Sequence, residues 1–347
     1  MSGRVIVVGS VNIDLVARVP HLPHPGETVT GGSYDRHHGG KGGNQAVAAA
    51  RLRRPTLFIG AVGDDTFENE ARRALITERV DVSMVASLPG QATGVALILV
   101  DANGENQIAV IPGANGAIEA GYARDCLARL GPLTGDVVLL CNEVPLHVVR
   151  EALTCARAAG ATTVLNPAPA TGIDRSIFAL ADIITPNRNE LGMLLHTEAL
   201  RTGRRTDASQ EIPSRARLLL EPGPEGPGVR KAVIVTLGSS GVLVIERRES
   251  GPSKAFPEAG EPANVAAAGR EADGLKIWEL PAERVSTLDS TGAGDAFNGA
   301  LAAAIAEGRP FAQAVQRAVA AGALATTHVG AREGMPTAAE LEEFLAR

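Results

Sequence analysis

Three absences narrow the field before any motif is read. Cysteine is scarce: Cys126, Cys141 and Cys155 form an odd set, without metal-ligand spacing, inside apolar runs. They read as reduced core residues rather than as a disulfide framework or a zinc site. Positive charge is not in excess either, since 33 Lys and Arg against 39 Asp and Glu leave a net charge of −6 and no basic run stands out. Nothing therefore offsets repulsion from phosphate, which argues against nucleic acid or an anionic membrane as partner. Long apolar runs are missing too. The opening stretch around Val5-Ile6-Val7-Val8 is too short for a signal segment, and no later run could cross a bilayer. A cytoplasmic protein with a small-molecule partner is expected.

What remains is an ordinary globular composition, 45% hydrophobic and 21% charged over 347 residues. That length lies a little above the roughly 250–300 residues at which single cores stop growing, so one main domain with an appendage is expected. Short β-branched runs at 4–9, 56–61, 136–141, 162–166, 182–185, 232–237 and 241–246 end at Gly, Pro, Asn or Asp. Helix-patterned segments lie between or after them, at 44–54, 66–79, 119–130, 146–160, 174–180, 188–196, 295–307 and 310–327. The alternation predicts a doubly wound α/β fold with a mostly parallel central sheet flanked by helices.

Residues 11–38 and 91–112 interrupt that alternation with strand-like runs that lack helical partners, the second pair joined around Asn103-Gly104. They are expected to form a small β-sheet lid, leaving 1–10, 39–90 and 113–347 as the α/β core. Because ligands of open α/β sheets bind outside the carboxyl ends of the strands, a lid beside the glycines at 39–43 could exclude water from a pocket there. Residues 201–230 and 248–274 are rich in Gly, Pro, Ala, Glu and Ser, and 248–274 reads as a flexible insertion without chemistry.

The strongest motif is Asp289-Ser290-Thr291-Gly292-Ala293-Gly294-Asp295, which opens an Ala-rich helix. Glycine backbone lets several N–H groups approach an anion, and the positive helix end adds to that field. Asp295 at the helix start could take the proton of an attacking hydroxyl, or could merely cap the helix. The spacing of Gly292, Gly294 and Gly299 does not give a dinucleotide fingerprint.

A second glycine cluster, Gly39-Gly40-Lys41-Gly42-Gly43-Asn44, also precedes a helix. Lys41 is followed by glycine rather than Ser or Thr, so this is no Walker loop; it reads as close backbone approach to a polyhydroxylated ligand, or as a flexible turn. Asn12 and Asp14 follow the first strand and Glu143 follows the run 137–141, all at the ligand-binding edge, although such residues also serve as turn or solvated residues. Asn187 and Glu190 form either a capping pair or a nucleotide position with a water-mediated Mg²⁺ contact. Thr236-Leu237-Gly238-Ser239-Ser240-Gly241 joins two strands as a hairpin turn, and its glycines and hydroxyls could also hold nucleotide phosphates.

In this order, and with Pro25-Gly26-Glu27-Thr28-Val29, Thr93-Gly94-Val95, Gly113-Ala114-Asn115, Leu165-Asn166-Pro167 and Ile184-Thr185-Pro186 between them, the motifs resemble the ribokinase-like carbohydrate kinases over nearly the whole chain except 248–274. The resemblance implies transfer of the ATP γ-phosphoryl to the 5-hydroxyl of D-ribose. It implies Asp295 as base, Gly292, Ala293 and Gly294 as anion hole, and Asn12, Asp14, Gly40, Lys41, Gly42, Asn44 and Glu143 around the sugar. Asn187, Thr236, Gly238, Ser239, Gly241 and Gly294 match nucleotide positions, and Glu190 a Mg²⁺ position. It also implies activation by K⁺ near Asp289, Thr291, Ala325, His328, Gly330 and Gly334. Gly334 stands where a serine oxygen is usual, and His328 and Arg332 depart from the familiar residues. A homodimer through the lids is the further implication. Another small sugar or a nucleoside as acceptor, and a sugar-binding regulator without turnover, are the competing readings.

Overall fold

The computed structural model describes residues 3–202, 211–222, 227–248, 266–272 and 274–347. Its first strand, β1 (Val5–Val8), is apolar at every residue and buried at every residue, which is stable only where both faces of a sheet are covered. The other strands are β2 (Asn12–Arg18), β3 (Ser33–Gly39), β4 (Thr56–Gly63), β5 (Val80–Leu88), β6 (Gly94–Val100), β7 (Asn106–Ile111), β8 (Val137–Cys141), β9 (Thr162–Asn166), β10 (Ile183–Ile184), β11 (Ala232–Thr236), β12 (Val242–Arg247), β13 (Ala266–Ala272) and β14 (Leu275–Leu280). The helices are α1 (Lys41–Arg51), α2 (Glu68–Thr77), α3 (Ala114–Ala117), α4 (Ala120–Arg129), α5 (Leu146–Ala158), α6 (Arg175–Phe178), α7 (Arg188–Thr202), α8 (Ile212–Leu220), α9 (Ala293–Ala306), α10 (Phe311–Ala325) and α11 (Ala338–Leu345).

The central sheet runs β13-β14-β12-β11-β10-β9-β8-β1-β4-β5, parallel from β11 to β5 and antiparallel over the last three pairings at the other end. It is the doubly wound, mostly parallel sheet that the alternation predicts. Val5 and Val7 join one core with α1, α9 and α10, whereas Ile6 and Val8 join another with α4, α5 and α7, so two apolar layers sandwich the sheet. The strands following β1 in the chain lie on one side of it (β4) and on the other (β8), which puts the switch in winding at the carboxyl end of β1. That crevice is where ligands of such sheets bind.

Four strands form a second sheet in the order β3-β2-β6-β7, with β6 and β7 antiparallel around residues 101–105, as the Asn103-Gly104 turn suggests. Some segments differ from expectation. β5, α8 and α11 are not among the expected elements: β5 is only partly buried, α8 lies in the stretch 201–230 rich in Gly, Pro and Glu, and α11 buries only Leu341. Residues 266–272, read as part of a flexible insertion, form β13 beside β14, while 249–265 and 273 lie outside the described residues. The helices after both glycine motifs start earlier than expected, at Lys41 and Ala293, so the glycines belong to their first turns. Close packing explains this. A Cβ at Gly42 would stand 2.7 Å from the Ser10 amide nitrogen, and one at Gly299 would stand 2.5 Å from Ala48 Cβ. Small residues thus let α1 settle on the end of β1 and let α9 settle on α1.

Candidate active site

Asp295 lies in the first turn of α9 and is only 6% exposed. It does not cap its helix, since Gly292, in the left-handed region at φ 77°, is the N-cap and no side-chain cap bond is made. Instead Oδ2 accepts from Asn44 Nδ2 at 3.0 Å and Oδ1 accepts from Gln45 Nε2 at 3.0 Å, both donors being on α1. Burial pushes the Asp295 carboxyl above its ordinary pKa, while Lys41, Asn44 and Gln45 pull the other way. The Lys41 ammonium is held above its ordinary value, chiefly by Asp295. The result is a carboxylate, desolvated yet surrounded by donors, which is the setting for a proton acceptor tuned toward neutrality. Beside it, the first-turn N–H groups of Gly294 and Asp295 have no intrahelical carbonyl to meet and point with the positive helix end.

The expected sugar positions converge on the same crevice. Glu143, which follows β8, is engaged rather than solvated: Oε2 accepts from the Lys41 amide at 2.9 Å and from the Ser10 hydroxyl. Gly40, at φ 82°, leaves no room for a side chain against Ser10, Val11 and Asn12, which accounts for glycine at this position. Asn12 accepts from Asn115 Nδ2 at 2.8 Å. Asp14, on β2, sits beneath Gly39 of the paired strand β3, where a Cβ would fall 2.1 Å from its Oδ2. Its Oδ1 is buried without a hydrogen-bond partner. Burial raises the Asp14 pKa to about 6, against the pull of Arg332 and with a push from Glu143.

Four site residues were not anticipated. Gln45 bridges Asp295 and Asn166, Asn115 ties Asn12 to the Val11 backbone, and Arg332 is 6% exposed, with Nε donating to Asn44 Oδ1 at 3.0 Å and Nη2 to the Gly39 carbonyl at 2.9 Å. Asn115 and Asn166 belong to motifs that carried the resemblance, but nothing local marks them as site residues.

At the nucleotide positions the capping alternative is present. The Asn187 amide donates to Glu190 Oε2 at 2.8 Å and the Glu190 amide donates to Asn187 Oδ1 at 2.8 Å. Glu190 Oε1 stays outside that pair, so a carboxylate oxygen remains for a hydrated Mg²⁺. Asn187 bridges to Thr236, and the turn from Thr236 to Gly241 is the hairpin between β11 and β12, with Gly238 at φ 60°, Gly241 at φ 90° and Ser239 exposed. Among the K⁺ positions, Asp289 accepts from Thr291 N and Oγ1 and from Gly330 N, at 2.7 to 2.9 Å. Burial opposes its ionisation, but those bonds hold its pKa below the ordinary value. His328 Nδ1 pairs with Thr327. A Cβ at Gly334 would lie 2.3 Å from the Ala325 carbonyl oxygen, so a serine oxygen could not be supplied there without a backbone shift. No cluster of three His, Cys, Asp or Glu able to hold a metal ion occurs among the described residues.

Known proteins resemble this chain over nearly its full length. The model for the pfkB family of carbohydrate kinases matches residues 2–269 and 272–338. A ribokinase of Haemophilus influenzae is 33% identical over 345 residues, 99% of each chain. A deoxyribokinase of Salmonella typhi is 30% identical over 346 residues, 99% of this chain and 98% of its own. The structure of Arabidopsis thaliana ribokinase complexed with ribose and ATP superposes with a TM-score of 0.78 at 26% identity, covering 100% of both chains.

A carboxyl with a raised pKa gains a charge as pH rises, and only the charged form of Asp14 can accept hydroxyl protons at both oxygens. The kcat/KM for the acceptor, which reports the free protein, is therefore expected to rise with pH through an inflexion at about 6. Asp14→Asn should lower kcat/KM and remove the inflexion at about 6, leaving the part of the limb that belongs to Asp295.

Proposed function

Because the chain belongs to the pfkB family of carbohydrate kinases, which are ATP-dependent phosphotransferases, we propose that it transfers the γ-phosphoryl group of ATP to the 5-hydroxyl of D-ribose, giving D-ribose 5-phosphate and ADP. The observation that supports this most is the buried Asp295 carboxylate, fixed by Asn44 and Gln45 at the N-terminus of α9 and at the crevice of the sheet. In this reading Asp295 accepts the proton of the 5-hydroxyl, the freed oxygen attacks the γ-phosphorus, and the bond to the bridging oxygen breaks to release ADP. The backbone from Gly292 to Gly294 stabilises the charge on the transferring group, in a reaction whose catalysis is mainly positioning and electrostatics. Asn12, Asp14, Gly40, Lys41, Gly42, Asn44 and Glu143 hold the sugar. Asn187, Thr236, Gly238, Ser239 and Gly241 hold the nucleotide. Glu190 would hold Mg²⁺ through water, and the ion would supply neutralisation of phosphate charge.

The small sheet β3-β2-β6-β7 serves as lid, since β2 contributes both Asn12 and Asp14 to the crevice. Its edge strand β7 is exposed at every residue, and Ile108, Val110 and Ile111 lie on it with Leu97 exposed on the neighbouring β6. An unpaired apolar edge of this kind invites a second copy, and a homodimer through the lids covers it. The K⁺ reading keeps Asp289, Thr291 and the carbonyls of Ala325, His328 and Gly330 as oxygen donors, with Gly334 unable to add a side-chain oxygen. Similarity to the Salmonella deoxyribokinase favours 2-deoxyribose as the second acceptor to consider.

The deciding assay is ADP release from ATP and Mg²⁺ with ribose, deoxyribose, fructose, adenosine or no acceptor, each with and without K⁺. Ribose-dependent turnover, stronger than with any other acceptor, is expected. Turnover only with another acceptor would reassign the pocket, and binding of ribose without turnover would make the protein a regulator. Rates equal with and without K⁺ would remove the monovalent cation. For the dimer, sedimentation at micromolar concentration is expected to give twice the 35.8 kDa chain mass, and Ile108→Lys with Val110→Lys should return it to monomer; a monomeric wild type would contradict the interface.

A further inference from the structure

The two donors that meet the Asp295 carboxylate are themselves held, each by a different part of the chain. Gln45 Nε2 donates to both Asp295 Oδ1 and Asn166 Oδ1, and Asn166 is tied in turn to the Thr185 carbonyl. Asn44 is held by Arg332, whose Nε donates to Asn44 Oδ1 at 3.0 Å while Nη2 donates to the Gly39 carbonyl at 2.9 Å. A guanidinium has no acceptor, so the side of the Asn44 amide that meets it has to be the oxygen. The amide nitrogen is thereby turned toward Asp295 Oδ2, which it reaches at 3.0 Å. Turned the other way, the amide would set oxygen against oxygen, and only a protonated carboxyl could satisfy that arrangement.

Arg332 is built into this place from two sides. Its own backbone, between α10 and α11, is pinned by Arg51, whose Nη1 donates to the carbonyls of Arg332 and Met335 at 2.7 Å; Arg51 is clamped in turn by Glu78 through bonds of 2.8 and 2.6 Å. On the other side, Gly43 of α1 leaves room for the guanidinium. A Cβ there would stand 2.5 Å from Arg332 Nη2, whereas the next contacts, 3.5 Å to Arg332 Cζ and 3.6 Å to Val11 Cγ2, are ordinary. Gly43 has helical backbone, so the guanidinium and not the chain conformation requires glycine at this position. Burial lowers the Arg332 pKa to about 10, which keeps it a cation at neutral pH, and attraction to Asp295 is among the forces that limit the fall. The same attraction favours the ionised form of Asp295. Resting on the sugar-kinase reading above, we propose that Arg332 is a positioning residue for the base: it orients the Asn44 amide so that Asp295 is held as a proton acceptor, and Gly43 is glycine in order to admit it.

The test measures kcat at saturating ribose and ATP across acid to alkaline pH, with KM for ribose and the thermal midpoint, in wild type, Arg332→Met, Arg332→Lys, Gly43→Ala and the double variant Gly43→Ala with Arg332→Met. If 2-deoxyribose is the acceptor that the wild type uses, it replaces ribose throughout. Arg332→Met is expected to lower kcat by about 10- to 100-fold at neutral pH, with KM changed only a few-fold. Its loss should shrink as pH rises, because an unoriented amide favours protonated Asp295 and moves the acid limb of kcat to higher pH. Arg332→Lys, with a charge but no fork to serve both Asn44 and Gly39, should fall between the two. Gly43→Ala should reproduce the Arg332→Met profile while every charge is kept, yet add little in the double variant, where there is no guanidinium to displace. Should Arg332→Met fail to fold, Gly43→Ala decides by the same kcat and pH readout. A wild-type kcat in either single variant would overturn the proposal. So would a loss equal at every pH, or additive effects in the double variant, which would make Arg332 a structural brace alone. A wild type that turns over neither sugar would overturn the sugar-kinase reading itself, and the proposal with it.

Discussion

Burying a carboxylate is expensive unless donors and favourable fields surround it, and the arrangement around Asp295 follows from that requirement. The start of α9 supplies the positive end of a helix, α1 supplies Asn44 and Gln45, and the half-buried Lys41 supplies the opposite charge that acts most strongly on it. These groups converge only if the first turns of two helices approach one another and the end of β1. Glycine and alanine make that approach: Gly42 lies against Ser10, and Gly299 lies against Ala48 and the Gln45 carbonyl. The Ala-rich character of α9 is thus tied to the chemistry at its N-terminus, because bulkier residues there would move Asp295 away from its donors.

The parts of the fold that could be read from sequence are those whose burial is complete. Apolar runs such as 5–8, 137–141 and 232–236 are buried on both faces and bounded by turn residues, so their character as parallel strands is written locally. β5 is half-polar because it closes the edge of the sheet, and α8 arises in a Pro- and Glu-containing stretch where only Ala216, Leu219 and Leu220 are buried. Neither carries a strong local signal. The same division holds within the site. Glycine motifs at helix starts advertise Asp295, Lys41 and Asn44, whereas Asn115 meets Asn12 across 103 positions and Arg332 meets Asn44 across 288. Side chains whose role depends on a partner so distant in the chain look like any polar residue until the fold brings them together.

The two ends of the crevice differ in how much of their polarity is already used. At the end proposed for the nucleotide, Asn187 and Glu190 satisfy one another across the start of α7, so the capping pair is already formed. Asp289 likewise braces the loop through Thr291 and Gly330. At the sugar end, by contrast, Asp14 and Arg332 retain buried atoms without partners.

The central claim is that the Asp295 carboxylate takes the proton of the attacking hydroxyl. It is tested most directly by single-turnover phosphoryl transfer in Asp295→Asn alongside calorimetric binding of the sugar to the same variant. The account predicts that the rate falls by about 10²- to 10⁴-fold, the span of a general base, while the sugar Kd changes only a few-fold. A rate close to that of the wild type would show that Asp295 is a structural anchor for α1 and that the proton leaves by another route.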